Sequence, residues 1–264
     1  MLHLDLTLPT PAENLALDEA LLDEAEENGA DQEFFRLWES PSTIVVVGRS
    51  SRIHQEVDEA ACRARGIPIL RRSSGGAAIV AGPGCLMYAV VLSYKLRPEL
   101  KDIRRAHCFV LNRHAESLQP LVGYLGTVRH AGTSDLVMEP GAGSREQATT
   151  PCSALLAGSY PRKFSGNSMR ARRTHLLYHG TLLYEFDIRP MSTCLRMPPR
   201  QPDYRAARPH GEFLMSVPAT RQQLVGAVTA AWPTSGTLVN WPAKRVAALV
   251  AERFSQENWN FEFE

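Results

Sequence analysis

The β-prone runs of this chain are short, unevenly spaced and punctuated by glycine and proline, and that spacing constrains its architecture more than any other feature. Residues 34–38 and 44–47 flank Glu39-Ser40-Pro41-Ser42 and read as two adjacent strands, the second ending at Gly48. Residues 67–70 form a buried-strand pattern that runs into Arg71-Arg72-Ser73-Ser74-Gly75-Gly76, and residues 77–80 and 86–94 continue the β pattern on either side of Gly82-Pro83-Gly84. Residues 121–129 and 176–186 predict a further strand and a strand pair. Between these runs lie helical patterns. The first opens on Thr10-Pro11-Ala12-Glu13, which combines an N-cap, a proline at the first helical position and a capping-box Glu. It repeats Leu15, Leu21, Leu22 and Ala25 between acidic residues as far as Asn28-Gly29, the pattern of an amphipathic structural helix. Residues 57–65, 103–118, 220–231 and 242–254 supply further helices. Strand and helix do not alternate as repeated βαβ units. The expected class is therefore α+β, with a mixed or antiparallel sheet and flanking helices.

With 264 residues, 44% of them hydrophobic and 22% charged, the chain can bury about three quarters of its extended surface. That excludes disordered and collagen-like classes. Lys plus Arg is 29 against 28 for Asp plus Glu, a net charge of +1. No global field then draws in nucleic acid or an anionic membrane, so neither is expected as a partner and any anion site is local. No stretch approaches the ~18 apolar residues of a membrane span, and Met1-Leu2-His3-Leu4-Asp5 lacks the basic start of a signal peptide. The cysteines stand at 62, 85, 108, 152 and 194, odd in number and without CxxC spacing. This argues against a disulfide scaffold or structural zinc and for a reducing, cytoplasmic location.

Four segments carry chemistry. Two guanidinium forks, Arg71 and Arg72, precede glycines that let backbone N–H groups approach a carboxylate or phosphate; alone, such a segment is as well explained by a basic turn. Lys163 precedes Ser165-Gly166-Asn167, a small-residue turn that could fix an ammonium where charge develops in a transition state. Asp135 in Gly132-Thr133-Ser134-Asp135-Leu136 could offer oxygen to Mg²⁺, although an isolated Asp there more often caps a turn. His179-Gly180-Thr181 could bring an imidazole to a cleft wall, against the commoner role of a structural histidine. A loop is expected over residues 139–153.

Taken in order, these segments resemble a known family. Asn14-Leu15-Ala16-Leu17-Asp18-Glu19-Ala20-Leu21-Leu22, Leu37-Trp38-Glu39, Val46-Val47-Gly48-Arg49, Arg71 to Gly76, Gly132 to Leu136, Lys163-Phe164-Ser165-Gly166-Asn167 and His179-Gly180-Thr181-Leu182-Leu183 follow the sequence seen in lipoate-protein ligases A. These belong to the biotin and lipoate ligase and octanoyltransferase superfamily. The resemblance covers residues 12 to 188. It implies a catalytic domain like those of biotin ligases and class II aminoacyl-tRNA synthetases, with a tunnel for a medium-length acyl chain, over residues 1–215. Residues 216–264 would be a short helical tail rather than a complete accessory domain. The implied reaction is ATP-dependent, with Mg²⁺, and attaches lipoate or octanoate to a lysine of a lipoyl acceptor domain. Acceptors of this kind belong to 2-oxoacid dehydrogenases or the glycine cleavage H-type protein. Matched by motif, Lys163 is the catalytic lysine; Arg71, Arg72, Gly75, Gly76, Ala77, Ser165, Gly166, Asn167, His179 and Gly180 line the acyl and adenylate site; and Asp135 lies by the metal.

The sequence departs from that pattern in two places. The family's glycine triplet becomes Gly75-Gly76-Ala77, and a His-Asp pair a few residues on becomes Ala81-Gly82. Both departures, and the short tail, leave room for an accessory ligase subunit, for an enzyme confined to one half-reaction, or for a non-catalytic acyl-binding relative. A rival activity is octanoyl transfer from acyl carrier protein through a cysteine thioester, for which Cys152 and Cys194 are the candidate nucleophiles. Biotin ligation fits less well, since no GRGRxGR-type loop is present. Two further readings concern charge. The Pro198 to Arg205 segment with Arg208 and His210 is either a docking edge for an acidic acceptor or a solvated linker. Arg170, Arg172 and Arg173 either face phosphate or form a wet surface.

Overall fold

A computed structural model describes residues 1–29, 31–141 and 160–263. In chain order its strands are β1 (Leu2–Asp5), β2 (Phe34–Glu39), β3 (Ile44–Val47), β4 (Ile69–Arg71), β5 (Ile79–Ala81), β6 (Cys85–Ser93), β7 (Gly126–Ala131), β8 (Asp135–Pro140), β9 (Arg162–Ala171), β10 (His175–Leu183) and β11 (Gly236–Thr237). The helices are α1 (Pro11–Asn28), α2 (Ile53–Glu56), α3 (Glu59–Ala64), α4 (Ile103–Val122), α5 (Arg189–Cys194), α6 (His210–Phe213), α7 (Arg221–Ala231), α8 (Ala243–Leu249) and α9 (Glu257–Asn260). Eight strands form one mixed sheet in the order β11-β1-β2-β6-β10-β9-β8-β7, and β4-β3-β5 form a small second sheet. The fold is α+β. Among the described residues no helix is long and apolar enough to cross a membrane.

Strand β6 shows how the layers are divided. All nine of its residues are buried, and because successive side chains point to opposite faces, Cys85, Met87, Ala89 and Val91 join one core while Leu86, Tyr88, Val90 and Leu92 join the other. The first core lies among the large sheet, α1, the small sheet and α8; the second lies under α4 and α7. Helix α1 begins as its sequence directs, with Thr10 accepting from the Glu13 N–H and the Glu13 carboxylate accepting from the Thr10 N–H. It is not amphipathic, however. Leu15, Leu17, Leu21 and Leu22 are buried, and so are Asp18, Glu19 and Asp23.

Buried carboxylates persist only when paired, since each desolvated ion costs several kcal/mol. Asp18 lies 2.5 Å from the fully buried guanidinium of Arg36. Glu19 takes Arg170 at 2.9 Å and Arg253 at 2.7 Å, and Asp23 takes Arg172 at 3.1 Å and Arg245 at 2.7 Å. Arg170, in β9, and Arg172, just after it, thus pair with α1, which corrects the phosphate-facing reading of these two, while Arg172 and Arg173 remain exposed. Burial pushes the Asp18 carboxyl upward, but Arg36 and the bond to His179 outweigh it and leave the group below the ordinary carboxylate value.

Three sequence expectations change. Residues 34–38 and 44–47 are not neighbours: β2 pairs with β1 and β6, whereas β3 pairs with β4 and β5. The Pro41 turn between them, with Ser40 Oγ donating to the Ser42 carbonyl at 2.8 Å, carries the chain out of the large sheet. The strand pair over 176–186 is one continuous strand, β10, hydrogen-bonded to β6 on one side and β9 on the other. The residues around Ser165-Gly166-Asn167 are strand interior, not turn.

Candidate functional site

Lys163 reaches the site through an irregularity in the sheet. In the pairing of β8 with β9, Asp135 faces Gly166 and Leu136 faces Ser165, but Val137 faces Lys163, so Phe164 is an extra residue at a β-bulge. Without it Lys163 and Gly166, three residues apart, would point to opposite faces of the sheet. With it they share the face of Asp135, whose Oδ1 lies 2.7 Å from Lys163 Nζ. Gly166 leaves the space the lysine needs: a Cβ there would lie 2.8 Å from Nζ and 3.0 Å from Cε. The next residue is pinned. Asn167 Oδ1 accepts from Tyr88 Oη at 2.5 Å, and its Nδ2 donates to the Ser134 carbonyl at 2.8 Å.

The second wall is the loop after β4. The Arg72 guanidinium turns back on its own loop, donating to the Gly75 carbonyl at 2.5 Å, the Ala77 carbonyl at 3.0 Å and the Val46 carbonyl at 3.2 Å. Burial lowers its pKa to about 10, so it stays charged at neutral pH. Behind the loop a buried chain links Arg36, Asp18, His179 and Ser74. His179 Nδ1 is 3.3 Å from Asp18 Oδ2, and its Nε2 is 2.6 Å from Ser74 Oγ. The carboxylate is acceptor-only, so Nδ1 carries a proton toward Asp18 and Nε2 shares a hydrogen bond with Ser74 Oγ. This has the connectivity of a serine nucleophile site, yet Ser74 is 1% exposed and its Oγ accepts from Arg72 Nε at 3.0 Å. It braces the loop.

The third wall was read in the sequence as a docking edge or linker. The chain from Arg196 to Leu214 folds across the site instead. Tyr204 Oη donates to Asp135 Oδ2 at 2.6 Å, and burial together with that carboxylate pushes the phenol upward. Arg205 and His210 are buried. Burial, then the charges of Arg205 and Lys163, lower His210 to about 4, so it is neutral at pH 7.

These walls enclose two adjoining cavities of about 110 and 210 Å³, which share Ala77, Ala78, Ile79, Lys163, Gly166, Thr181, Arg205 and Phe213. The smaller runs under α5 and α6 between Val80, Leu183, Met191, Leu195 and Leu214, with Glu56, Arg196 and His210 at its margin. The larger is lined by the apolar Leu15, Val46 and Met87 together with His179, Arg72, Asp135, Ser168 and Arg200.

Of the residues singled out in the sequence, Lys163, Gly166 and Ala77 line both cavities, Ser165 the smaller, and Arg72, Gly76, Asn167, His179, Gly180 and Asp135 the larger. Gly75 lines neither and acts through its carbonyl, which accepts from Arg72 and from Ser168 Oγ at 2.6 Å. Arg71 lines neither; its guanidinium donates to the carbonyls of Gly48 at 2.7 Å, Ser51 at 2.9 Å and Trp259 at 3.0 Å. The reason is alternation along the strand end, which sends neighbouring arginines to opposite sides. Cys194 is fully buried against Cys62, whose thiol burial and that neighbour push up to about 12. It lines neither cavity and cannot present a thiolate there. Cys152 lies outside the described residues. Asp135 does not make a resident metal site: both its oxygens are engaged, and no group of three His, Cys, Asp or Glu among the described residues could hold an ion. Asp18 and Ser74 lie inside segments that carry the resemblance and Tyr204 inside the Pro198 to Arg205 segment, but the sequence assigns none of the three a role in the site.

Residues 10–219 match the family model of the lipoyl protein ligase A/B catalytic domain. An Aeropyrum pernix protein that carries the lipoate-protein ligase A name is 32% identical over 148 residues, 56% of this chain and 52% of that protein. The octanoyltransferase LipM of Carboxydothermus hydrogenoformans is 30% identical over 186 residues, 67% of this chain and 62% of that protein. The chain thus spans about half the length of the first curated relatives it matches. Among solved structures, the bi-partite lipoate protein ligase of Thermoplasma acidophilum, studied with its E2 lipoyl domain, superposes with a TM-score of 0.73 at 18% identity. That match covers 100% of this chain and 96% of the other.

Proposed function

Because the chain belongs to the lipoyl protein ligase A/B catalytic-domain family, we propose that it attaches lipoate or octanoate to a lysine of a lipoyl acceptor domain through an acyl-adenylate. The observation that carries this reading is Lys163, held by Asp135 where the two cavities meet. The apolar lining at Leu15, Val46 and Met87 suits a hydrocarbon or dithiolane tail. The compartment under α5 and α6, with Phe213 for a base and Arg196 and Arg205 for phosphate, suits a nucleotide.

The acyl carboxylate oxygen attacks the α-phosphorus of ATP, and the bond to the β-phosphate breaks to release pyrophosphate. The acceptor lysine amine then attacks the acyl carbon, the C–O bond to AMP breaks, and the amine loses its proton. Lys163 stands beside the carboxyl and phosphoryl oxygens in both steps and acts by charge and position. An ion entering with the triphosphate would take phosphate and water oxygens as ligands; no step here is drawn through it.

A second reading is favoured by the similarity to an octanoyltransferase: transfer from octanoyl-acyl carrier protein through a cysteine. Incubating the purified chain and a lipoyl domain with octanoate, ATP and Mg²⁺, or with octanoyl-acyl carrier protein alone, separates the two. ATP-dependent modification that is lost in Lys163→Ala supports the ligase. ATP-independent transfer lost in Cys152→Ser supports the transferase. Binding without turnover by either route overturns both.

A further inference from the structure

The residues from α9 to Phe263 reach the back of the loop whose front lines the larger cavity. Trp259 Nε1 donates to the Arg71 carbonyl at 2.9 Å, Asn260 Oδ1 accepts from the Arg71 N–H at 2.9 Å, and Arg71 Nε donates to the Trp259 carbonyl at 3.0 Å. The Arg71 backbone and side chain are thereby both held from one side. Arg71 is fully buried and carries the hold forward through Nη1, which donates to the Gly48 and Ser51 carbonyls. Those neighbours grip the substrate loop. Ser51 Oγ donates to the Gly76 carbonyl at 3.1 Å, and the Arg49 N–H donates to the Ser74 carbonyl at 2.7 Å. Arg49 is tied back in turn, its guanidinium 2.6 Å from Glu262 and 4.5 Å from the centre of the Trp259 ring.

We infer that Trp259 and Asn260 are positioning residues for the substrate loop, acting through Arg71 on Ser74, Gly76 and the cavity wall they form. Arg71, whose sequence context suggests ligand contact, is the coupling between the two. The loop needs such an anchor because β4 ends at Arg71 and Gly76 adopts φ +87°, so beyond the Arg72 N–H, which donates to the Val47 carbonyl at 3.0 Å, no sheet pairing fixes residues 73–77. Its remaining holds are the Arg72 guanidinium, which turns back on it, Ser74 Oγ against His179 Nε2, and Ser168 Oγ at the Gly75 carbonyl.

The role rests on the proposed function only for its kinetic readout. Trp259→Phe removes one donor and keeps the ring; Asn260→Ala removes the acceptor facing Arg71, and Asn260→Asp retains it. Backbone hydrogen exchange of the full chain without substrates is the first measurement. In Trp259→Phe and Asn260→Ala the amides of Arg49, which donates to the Ser74 carbonyl, and Arg72, which donates to the Val47 carbonyl, should exchange at least tenfold faster while those of β6 and β10 are unchanged, and Asn260→Asp should restore most of the protection. In acyl-adenylate formation, KM for octanoate should rise about tenfold with kcat within threefold of the parent. Unchanged exchange at Arg49 and Arg72, or equal acceleration across β6 and β10, would overturn the inference. Should the parent chain form no adenylate, the exchange data still decide the positioning role while the functional reading fails by itself. If Trp259→Phe does not fold, the Asn260 pair gives the same test.

Discussion

Gly166→Ala separates the position of Lys163 from the stability of the fold. An added Cβ would sit 2.8 Å from Lys163 Nζ and 3.0 Å from Cε, against a comfortable separation of about 3.5 Å. The shortfall is about 0.7 Å. Backbone cannot close it, because Gly166 is held in β9 between β8 and β10. The atoms that yield are the end of a flexible side chain, so the energetic cost to folding stays below about 1 kcal/mol. Moving Nζ by that amount stretches the 2.7 Å contact with Asp135 to as much as about 3.4 Å and shifts the ammonium at the cavity junction. Displacements of about 1 Å at a reacting centre cost about 100-fold in rate, so 0.7 Å predicts a loss of about 10- to 100-fold, equal to ~1.4–2.7 kcal/mol of barrier. Single-turnover pyrophosphate release with octanoate and ATP measures the rate, and urea denaturation measures the stability. The counterpart is Gly180→Ala, whose Cβ would lie 1.8 Å from Asn167 Oδ1 and 2.9 Å from the Gly166 carbonyl. Asn167 is pinned at both ends of its amide and cannot move aside, so that variant should lose stability first. If Gly166→Ala keeps both its stability and its rate, Lys163 does not act from the position seen here and the electrostatic role assigned to it fails.

Asp18→Ala leaves the Arg36 guanidinium buried without its carboxylate and should cost about 3–5 kcal/mol in urea denaturation; a loss under 1 kcal/mol would mean Arg36 finds water. Tyr204→Phe removes the hydroxyl donated to Asp135 and should cost about 1.5–3 kcal/mol by the same measurement, with an accompanying fall in adenylate formation. Histidine burial sets the acid limit. His114 is lowered to about 3 by burial and then Arg113, and His210 to about 4. Both bind protons more weakly folded than unfolded, so their contribution to stability is present above an unfolded pKa of about 6.5 and is lost as pH falls toward 4 and 3, at ~1.4 kcal/mol per pH unit for each. Denaturation midpoints should therefore fall from about pH 6.5 downward, and His114→Gln, which can still accept from Trp232 Nε1, should remove its share of the slope.

Local signals were read correctly and distant ones were not. The capping box of α1 involves residues three apart, and its bonds form as the sequence directs. The acidic residues on the same helix look like a solvent face because their partners Arg36, Arg170, Arg172, Arg245 and Arg253 come from four other parts of the chain. Lys163 stood out by its motif, but the bulge that turns it toward Asp135 depends on the register of β9 against Val137, which no property of β9 alone reveals. Arg71 and Arg72 are indistinguishable as adjacent letters. Only the direction of β4 decides that one holds the cavity wall and the other the segment behind it. Tyr204 sits in a proline-rich stretch whose composition argues for solvent, and its contact with Asp135 spans 69 residues.

The pairing of α1 also explains how a chain of net charge +1 can present a cationic cavity. Glu19 and Asp23 engage Arg170, Arg172, Arg245 and Arg253, and Asp18 consumes Arg36, and none of these arginines lines either cavity. The larger cavity keeps Arg72, Lys163, Arg200 and Arg205 among its lining, against the single carboxylate of Asp135. Because Asp135 is already shared by Lys163 and Tyr204, it neutralises little of what faces the opening. The surplus lies within walls that are largely apolar, where a charge is screened less than at the surface. An anion is therefore drawn by the cations that line this cavity and not by the protein as a whole, so its binding should respond strongly to substitutions at these positions and only weakly to changes in net charge elsewhere.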